Sequence, residues 1–217
     1  MNAIYFLNRS EAVLVSDFYT KINQLMHWIP SGHPLSGLSL DEIYQYLVIK
    51  YLHPRDEVIQ WTRDFISTHI AGSPFIAVHL RGLDKESETN VDDYHQAAFE
   101  KTRFLVEKFQ VPKLLILTDC SELLTRAKER FGARVVSADV TRSTGKKGIH
   151  FLGLDGRRIG EEVMRESYLA AQANYFIGLG LSNVSVMITR IANWSNERYD
   201  LMGPRQDQHI NSFLNDW

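Results

Sequence analysis

The chain has 217 residues, 44% of them apolar and 23% charged. That is globular composition and excludes global disorder; a chain this long buries roughly 70% of its unfolded surface, enough for a core without staples. With 24 basic and 26 acidic residues the formal net charge is −2, so no global field draws the chain onto nucleic acid or an anionic membrane. Cys120 is the sole cysteine. It excludes an internal disulfide framework and any cysteine-rich zinc site, and it suits a reducing compartment such as the cytoplasm. No window approaches the roughly 18 consecutive apolar residues of a membrane span. Met1–Leu7 has neither the basic start nor the long apolar stretch of a signal peptide.

Residues 1–72 read as a helical segment. Val15, Phe18, Ile22, Leu25 and Ile29 keep helical spacing, while Ala12–Val15 also fits a short strand. Gly32-His33-Pro34 breaks the chain. Ser39-Leu40-Asp41-Glu42 is a capping box, and the helix it opens is expected to bury Leu40, Ile43, Leu47 and Tyr51. After Pro54, a helical stripe of Val58, Trp61, Phe65 and His69 runs to the stop at Gly72-Ser73-Pro74.

Beyond Pro74 short apolar runs alternate with helical patterns. Strands are expected at 75–80, 113–118, 134–137 and 175–177. Helices are expected at about 92–109, from a cap at Ser121 to Phe131, at about 160–172, and at about 183–194. The strands are apolar throughout rather than alternating, which indicates a parallel sheet covered on both faces. The expected organisation is therefore α/β: a helical segment 1–72, a Rossmann-like unit 73–200, and a polar tail 201–217.

In such a sheet ligands bind at the carboxyl ends of the strands, and polar, flexible residues gather there. The first strand ends in His79-Leu80-Arg81-Gly82-Leu83-Asp84-Lys85 and the second in Thr118-Asp119-Cys120-Ser121. The fourth ends in Gly178-Leu179-Gly180-Leu181-Ser182-Asn183. Arg81 is placed to hold phosphate oxygens bidentately. Gly82 lets backbone approach a ligand closely, and His79 shares Arg81's face of the strand. The same spacing also fits an arginine paired with a carboxylate and a histidine satisfied in the core. The Gly178–Asn183 turn offers free N–H groups and a helix start to an anion, or a plain N-cap at Ser182 or Asn183. Glu166, on the helix leading into the fourth strand, fits a plain surface charge, or a carboxylate able to accept from both N1–H and the exocyclic amine of guanine. The loop 141–158 carries Arg142, Lys146, Lys147, Arg157 and Arg158, a candidate phosphate clamp. The histidines show no metal-ligand spacing, and no metal is expected.

Val78-His79-Leu80-Arg81-Gly82-Leu83-Asp84-Lys85 resembles the His-x-Arg-Arg-x-Asp-Lys segment of GDP-fucose-dependent fucosyltransferases, most closely the α1,6 and nodulation type and more loosely the protein O-fucosyltransferases. Leu117-Thr118-Asp119 resembles their second segment. Glu166, then Tyr168–Gly178, then Leu181-Ser182-Asn183, resembles their third. The resemblance covers about residues 45–192. It implies the donor-binding Rossmann half of a GT-B enzyme that takes GDP-fucose or GDP without a metal and passes the sugar with inversion to a glycan or protein hydroxyl. It places Arg81 on the β-phosphate and His79 and Glu166 at the guanosine end. Asp84, Lys85, Asp119, Gly180, Ser182 and Asn183 join them in the donor site.

Three positions depart from the pattern. The family's second arginine is Gly82, which turns attention to Arg142, Lys146 and Lys147 as substitutes. The usual aspartate at the guanine position is Glu166. The carboxylate that helps activate the acceptor falls on Thr89, with Glu88 beside it as the candidate base. Arg81 and Glu88 are thus the expected catalytic pair. A complete GT-B enzyme has two Rossmann halves, so one half here implies either an acceptor domain elsewhere, acceptor surface from the N-terminal helices, or a second copy of the chain. The alternative on the same residues is a GDP-sugar-binding module without transferase activity.

Overall fold

In this computed structural model the chain divides into two compact units, Met1–Leu52 and His53–Trp217. The structure describes residues 29–82, 91–144, 148–149, 152–192 and 194–203, together with Ser10 and Met26. The helical spacing expected from Val15 to Leu25, its strand alternative and the tail beyond 203 lie outside these residues.

The described part of the first unit is a run of turns leading into helix α1 (Leu40–Tyr51). Its start is the expected capping box. Ser39 N–H donates to Glu42 Oε2 at 2.7 Å, and Ser39 Oγ accepts the Glu42 N–H at 3.4 Å. The expected buried stripe is only partly realised. Ile43 is buried and Leu40 and Leu47 are half-buried, but Tyr51 is exposed. Tyr51 closes the helix, where its ring lies under the Lys50 ammonium, 5.2 Å from the ring centroid, rather than against a core.

The second unit opens with α2 (Asp56–Phe65), which runs directly into a π-helical turn, Ile66–Ile70. A π turn adds a residue to the helical repeat and so rotates the side chains after it. Phe65 stays buried, as its place in the stripe requires, but Ile70 takes the next buried position and His69 is exposed. The helix then stops in the left-handed backbone of Ala71 and Gly72, with φ 53° and 71°.

The remaining elements are β1 (Phe75–His79), α3 (Val91–Phe109), β2 (Lys113–Leu117), α4 (Ser121–Phe131), β3 (Val135–Val136), α5 (Gly156–Ala170), β4 (Tyr175–Leu179), α6 (Asn183–Ala192) and β5 (Tyr199–Met202). The strands form one sheet in the order β3-β2-β1-β4-β5, every pair parallel. This is a Rossmann-like α/β sheet, and its strand order turns back between β1 and β4.

Successive strand residues face opposite sides, and both sides are dry. Ile76, Val78, Leu114, Ile116 and Ile177 pack under Tyr94, Phe99 and Leu105 of α3 and Leu123 and Ala127 of α4. Phe75, Ala77, Leu115, Leu117 and Phe176 pack under Phe65, Leu169, Ala170 and Ile188 from α2, α5 and α6. Burial on both faces explains why runs such as Ile76–Val78 and Leu114–Leu117 are apolar at every position. Each fully buried leucine or isoleucine contributes about 1.5–3 kcal/mol.

Three expectations shift. Ser121 is the first residue of α4, and the cap position is Cys120, with no side-chain cap bond. The cysteine is buried and free of disulfide. Helix α5 starts at Gly156 rather than near 160, because the Asp155 carboxylate accepts the Arg157 N–H at 3.0 Å and caps it there. β5 has no counterpart among the expected strands: its four residues are all half-buried and carry Asp200 in their midst. Among the described residues no helix is long and apolar enough to cross a membrane.

Gly178 sets how closely α6 approaches β4. A Cβ there would lie 2.6 Å from Ser185 Oγ and 2.8 Å from the Phe176 ring. Gly178→Ala is therefore expected to destabilise the unit by about 1–3 kcal/mol, read as a lowered midpoint in urea denaturation. An unchanged midpoint would show that α6 moves away freely.

Candidate active site

The sheet opens where its order turns back. Pairing between β1 and β4 ends at Val78↔Ile177, while β1 stays paired with β2 through His79↔Leu117 and Leu80 N–H donates to Leu117 O at 2.9 Å. The backbone groups at the split go to side chains. The Tyr94 hydroxyl of α3 donates to His79 O, and Leu179 N–H donates to Ser185 Oγ of α6 at 3.2 Å. Buried backbone groups need such partners.

A cavity of about 230 Å³ lies at these strand ends on the α5–α6 side. β1 brings His79 and Arg81 to it, and β2 brings Thr118 and Asp119. Helix α5 contributes Ile159, Val163 and Glu166, three residues on one helical face.

His79 is buried, and its Nδ1 lies 2.7 Å from Ser185 Oγ. The same Oγ accepts the Leu179 N–H; with its hydroxyl donating to Nδ1, the imidazole proton is on Nε2 and faces away from Ser185. Burial, followed by the Arg81 charge, pushes the His79 pKa down to about 3. The ring is a neutral donor throughout the physiological range.

Arg81 Nη1 lies 3.8 Å from Asp119 Oδ2, both side chains about four-fifths buried. The Asp119 carboxylate sits where a side chain at position 82 would be: a Cβ on Gly82 would run into Oδ1 and lie 3.1 Å from Cγ. Gly82 thus leaves room for a carboxylate beside Arg81. His79 and Arg81 have protein partners, as the pairing reading of the strand end expects, and both also line the cavity.

Glu166 is half-buried, with Oε1 fully buried and without a hydrogen-bond partner among the described residues. Burial raises its pKa to about 8. Arg142 opposes the rise, while Asp119 and Glu162 add to it. Arg142 is committed to its own loop, donating from Nη1 to Val140 O at 3.2 Å and from Nη2 to Ala138 O at 2.8 Å. Arg157 and Arg158 pair along α5 with Glu161 and Glu162, at 3.2 and 2.9 Å.

The structure therefore brings together His79, Arg81, Asp119 and Glu166, with Gly82 against Asp119. The Gly178–Asn183 turn has hydrogen-bond partners within the fold. Gly180 N–H donates to Met202 O at 2.8 Å. Ser182 is buried and caps α6, its carbonyl accepting from Val186 N–H and its Oγ from Ser185 N–H. Asn183 is exposed, and none of the three lines the cavity. Asp84, Lys85, Glu88, Lys146 and Lys147 lie outside the described residues. Among the described residues no group of histidine, cysteine and carboxylate side chains is arranged to hold a metal.

Ser185, Tyr94 and His95 meet the backbone at the strand ends without being marked in the sequence. The helical spacing of Ile159, Val163 and Glu166 was a signal for the α5 wall; nothing local marks the other three.

No family model and no curated protein matches the chain. Solved structures do. POFUT1 in complex with GDP-fucose superposes with a TM-score of 0.53 at 14% identity, over 84% of this chain and 58% of that one. POFUT1 in its apo form gives 0.51 at 13%, over 83% and 58%. The fucosyltransferase NodZ from Bradyrhizobium gives 0.46 at 19%, over 73% and 48%. The chain spans 44–58% of the length of such structures. The POFUT1 likeness shows a shared Rossmann-like α/β fold. At these identities it speaks to the fold alone, and the chemistry rests on the side chains in the cavity.

The raised pKa of Glu166 makes a prediction about the unliganded protein. The folded state holds a proton that the unfolded state releases from about pH 4.5 upward, so this residue's contribution to stability falls as pH rises toward about 8 and is level above it. Glu166→Gln should raise Tm relative to wild type by a margin that grows between those limits. A margin independent of pH would show Glu166 already ionised at neutral pH.

Proposed function

We propose that the chain binds a guanosine diphosphate sugar, GDP-fucose in particular, and is the donor-binding half of a fucosyltransferase. The observation that carries this reading is the convergence on one cavity at the strand ends of Arg81 and Glu166, whose buried Oε1 has no partner among the described residues. Together they offer a cation for phosphate and two acceptor oxygens for a base edge with two adjacent donors. Guanine alone among the common bases presents such an edge, N1–H beside the exocyclic amine. The likeness of the fold to POFUT1 with GDP-fucose supports the same reading.

In this mechanism Arg81 holds the β-phosphate and stabilises the charge that collects on GDP as the sugar–phosphate bond breaks. Asp119 keeps the guanidinium facing the cavity until phosphate takes its place. Neutral His79 donates from Nε2 without competing for the anion. Cleavage with inversion needs a base on an acceptor hydroxyl, the part we assign to Glu88. The acceptor is a glycan or protein hydroxyl, and donor binding needs no metal, so chelation should leave GDP affinity unchanged.

In calorimetry, GDP should bind well above UDP and ADP, and Arg81→Ala should weaken GDP on the order of a hundredfold. A preference for UDP or ADP would overturn the guanine assignment, and full affinity in the arginine variant would overturn the phosphate assignment.

Guanine binds the carboxylate form of Glu166, so affinity should rise with pH. Between about pH 6.5 and 8.5 the gain should be on the order of tenfold, and Glu166→Gln should abolish it. A flat profile in the wild type would remove Glu166 from the base site.

A further inference from the structure

We propose that Tyr94 and His95 are positioning residues for Arg81. They hold the backbone at the exit of β1 from behind the sheet, so that the guanidinium on the other face meets the phosphate. This rests on the reading of Arg81 as the phosphate ligand.

The two are consecutive on α3 and neither lines the cavity. Tyr94 packs in the core under α3 and α4, on the face opposite α5 and α6. Its hydroxyl donates to His79 O, the first carbonyl past the β1–β4 pairing. His95 is wholly buried, and its Nε2 lies 2.7 Å from Arg81 O. A carbonyl needs a donor, so the His95 proton is on Nε2 and Nδ1 carries the lone pair. Burial holds the His95 pKa below its ordinary value, which keeps the ring neutral.

Two carbonyls, at 79 and 81, are thus pinned two residues apart, where the strand has lost its β4 partner. In extended backbone alternate side chains share a face. Fixing both carbonyls therefore fixes the direction in which His79 and Arg81 leave the chain.

His95 Nδ1 is buried with no hydrogen-bond partner among the described residues. A buried polar atom left unpaired costs stability, and an apolar side chain at this position would avoid that cost. What the imidazole supplies in exchange is its grip on the Arg81 carbonyl. Placement of a charged group matters because its hold on an anion depends steeply on distance and direction.

A clamp on Arg81 acts on the β-phosphate and not on the base, and this separates it from a general structural role. GDP and GMP are titrated calorimetrically into the full chain as wild type, Tyr94→Phe, His95→Leu and His95→Gln, with a thermal melt of each. Tyr94→Phe and His95→Leu should each weaken GDP about tenfold while GMP changes by less than about twofold. His95→Gln, whose amide can donate to the same carbonyl, should keep GDP within about threefold of wild type. If GDP and GMP weaken in parallel, or both hold while only Tm falls, the two residues are structural and the inference is overturned. A wild type that binds neither nucleotide overturns the nucleotide reading itself, and the clamp with it.

Discussion

Two strands that run side by side through Val78 and Ile177 separate one residue later, and the candidate site depends on how that separation is tolerated. A parallel sheet is held by backbone hydrogen bonds, so every strand that parts from its neighbour leaves polar groups to be satisfied. Here side chains do this from both faces. Tyr94 takes His79 O from the α3 face, and Ser185 takes Leu179 N–H from the α6 face. The opening comes where the strand order turns back, because the helices on either side of that point pass to opposite faces of the sheet.

Ser185 links this opening to the chemistry, since the same oxygen also meets His79 Nδ1. It reaches both groups because Gly178 has no side chain to keep α6 away from β4. Gly82 acts likewise at the other strand end, where its missing side chain is replaced by the Asp119 carboxylate. Both glycines are sites of close approach, Gly178 for a helix and Gly82 for a charge.

The electrostatics of the cavity are uneven. Arg81 has a counter-charge in Asp119, 3.8 Å away. Among the described residues Glu166 has none within hydrogen-bond reach, with Arg142 turned onto backbone carbonyls and Glu162 held by Thr141 and Arg158. A carboxyl left in that state favours its neutral form. The unliganded pocket is thereby built against itself at one end, and two donors from a base edge would relieve it.

The amino-acid sequence by itself determined the alternation of strands and helices. Runs such as Leu114–Leu117 are apolar at every position, and only a strand covered on both faces needs that. It also determined that His79, Arg81, Asp119 and Glu166 lie at one rim, since each sits at a strand end or on the helix leading into β4. The π turn after Phe65 and the strand at Tyr199–Met202 were not legible, because a one-residue change of helical phase and a short half-buried edge leave no periodic trace. Nor were Tyr94, His95 and Ser185. Their roles come from reaching backbone groups 15, 14 and 6 residues away along the chain. Tertiary structure alone decided those contacts, because which backbone groups lose their strand partners is settled only when the sheet assembles in its final order.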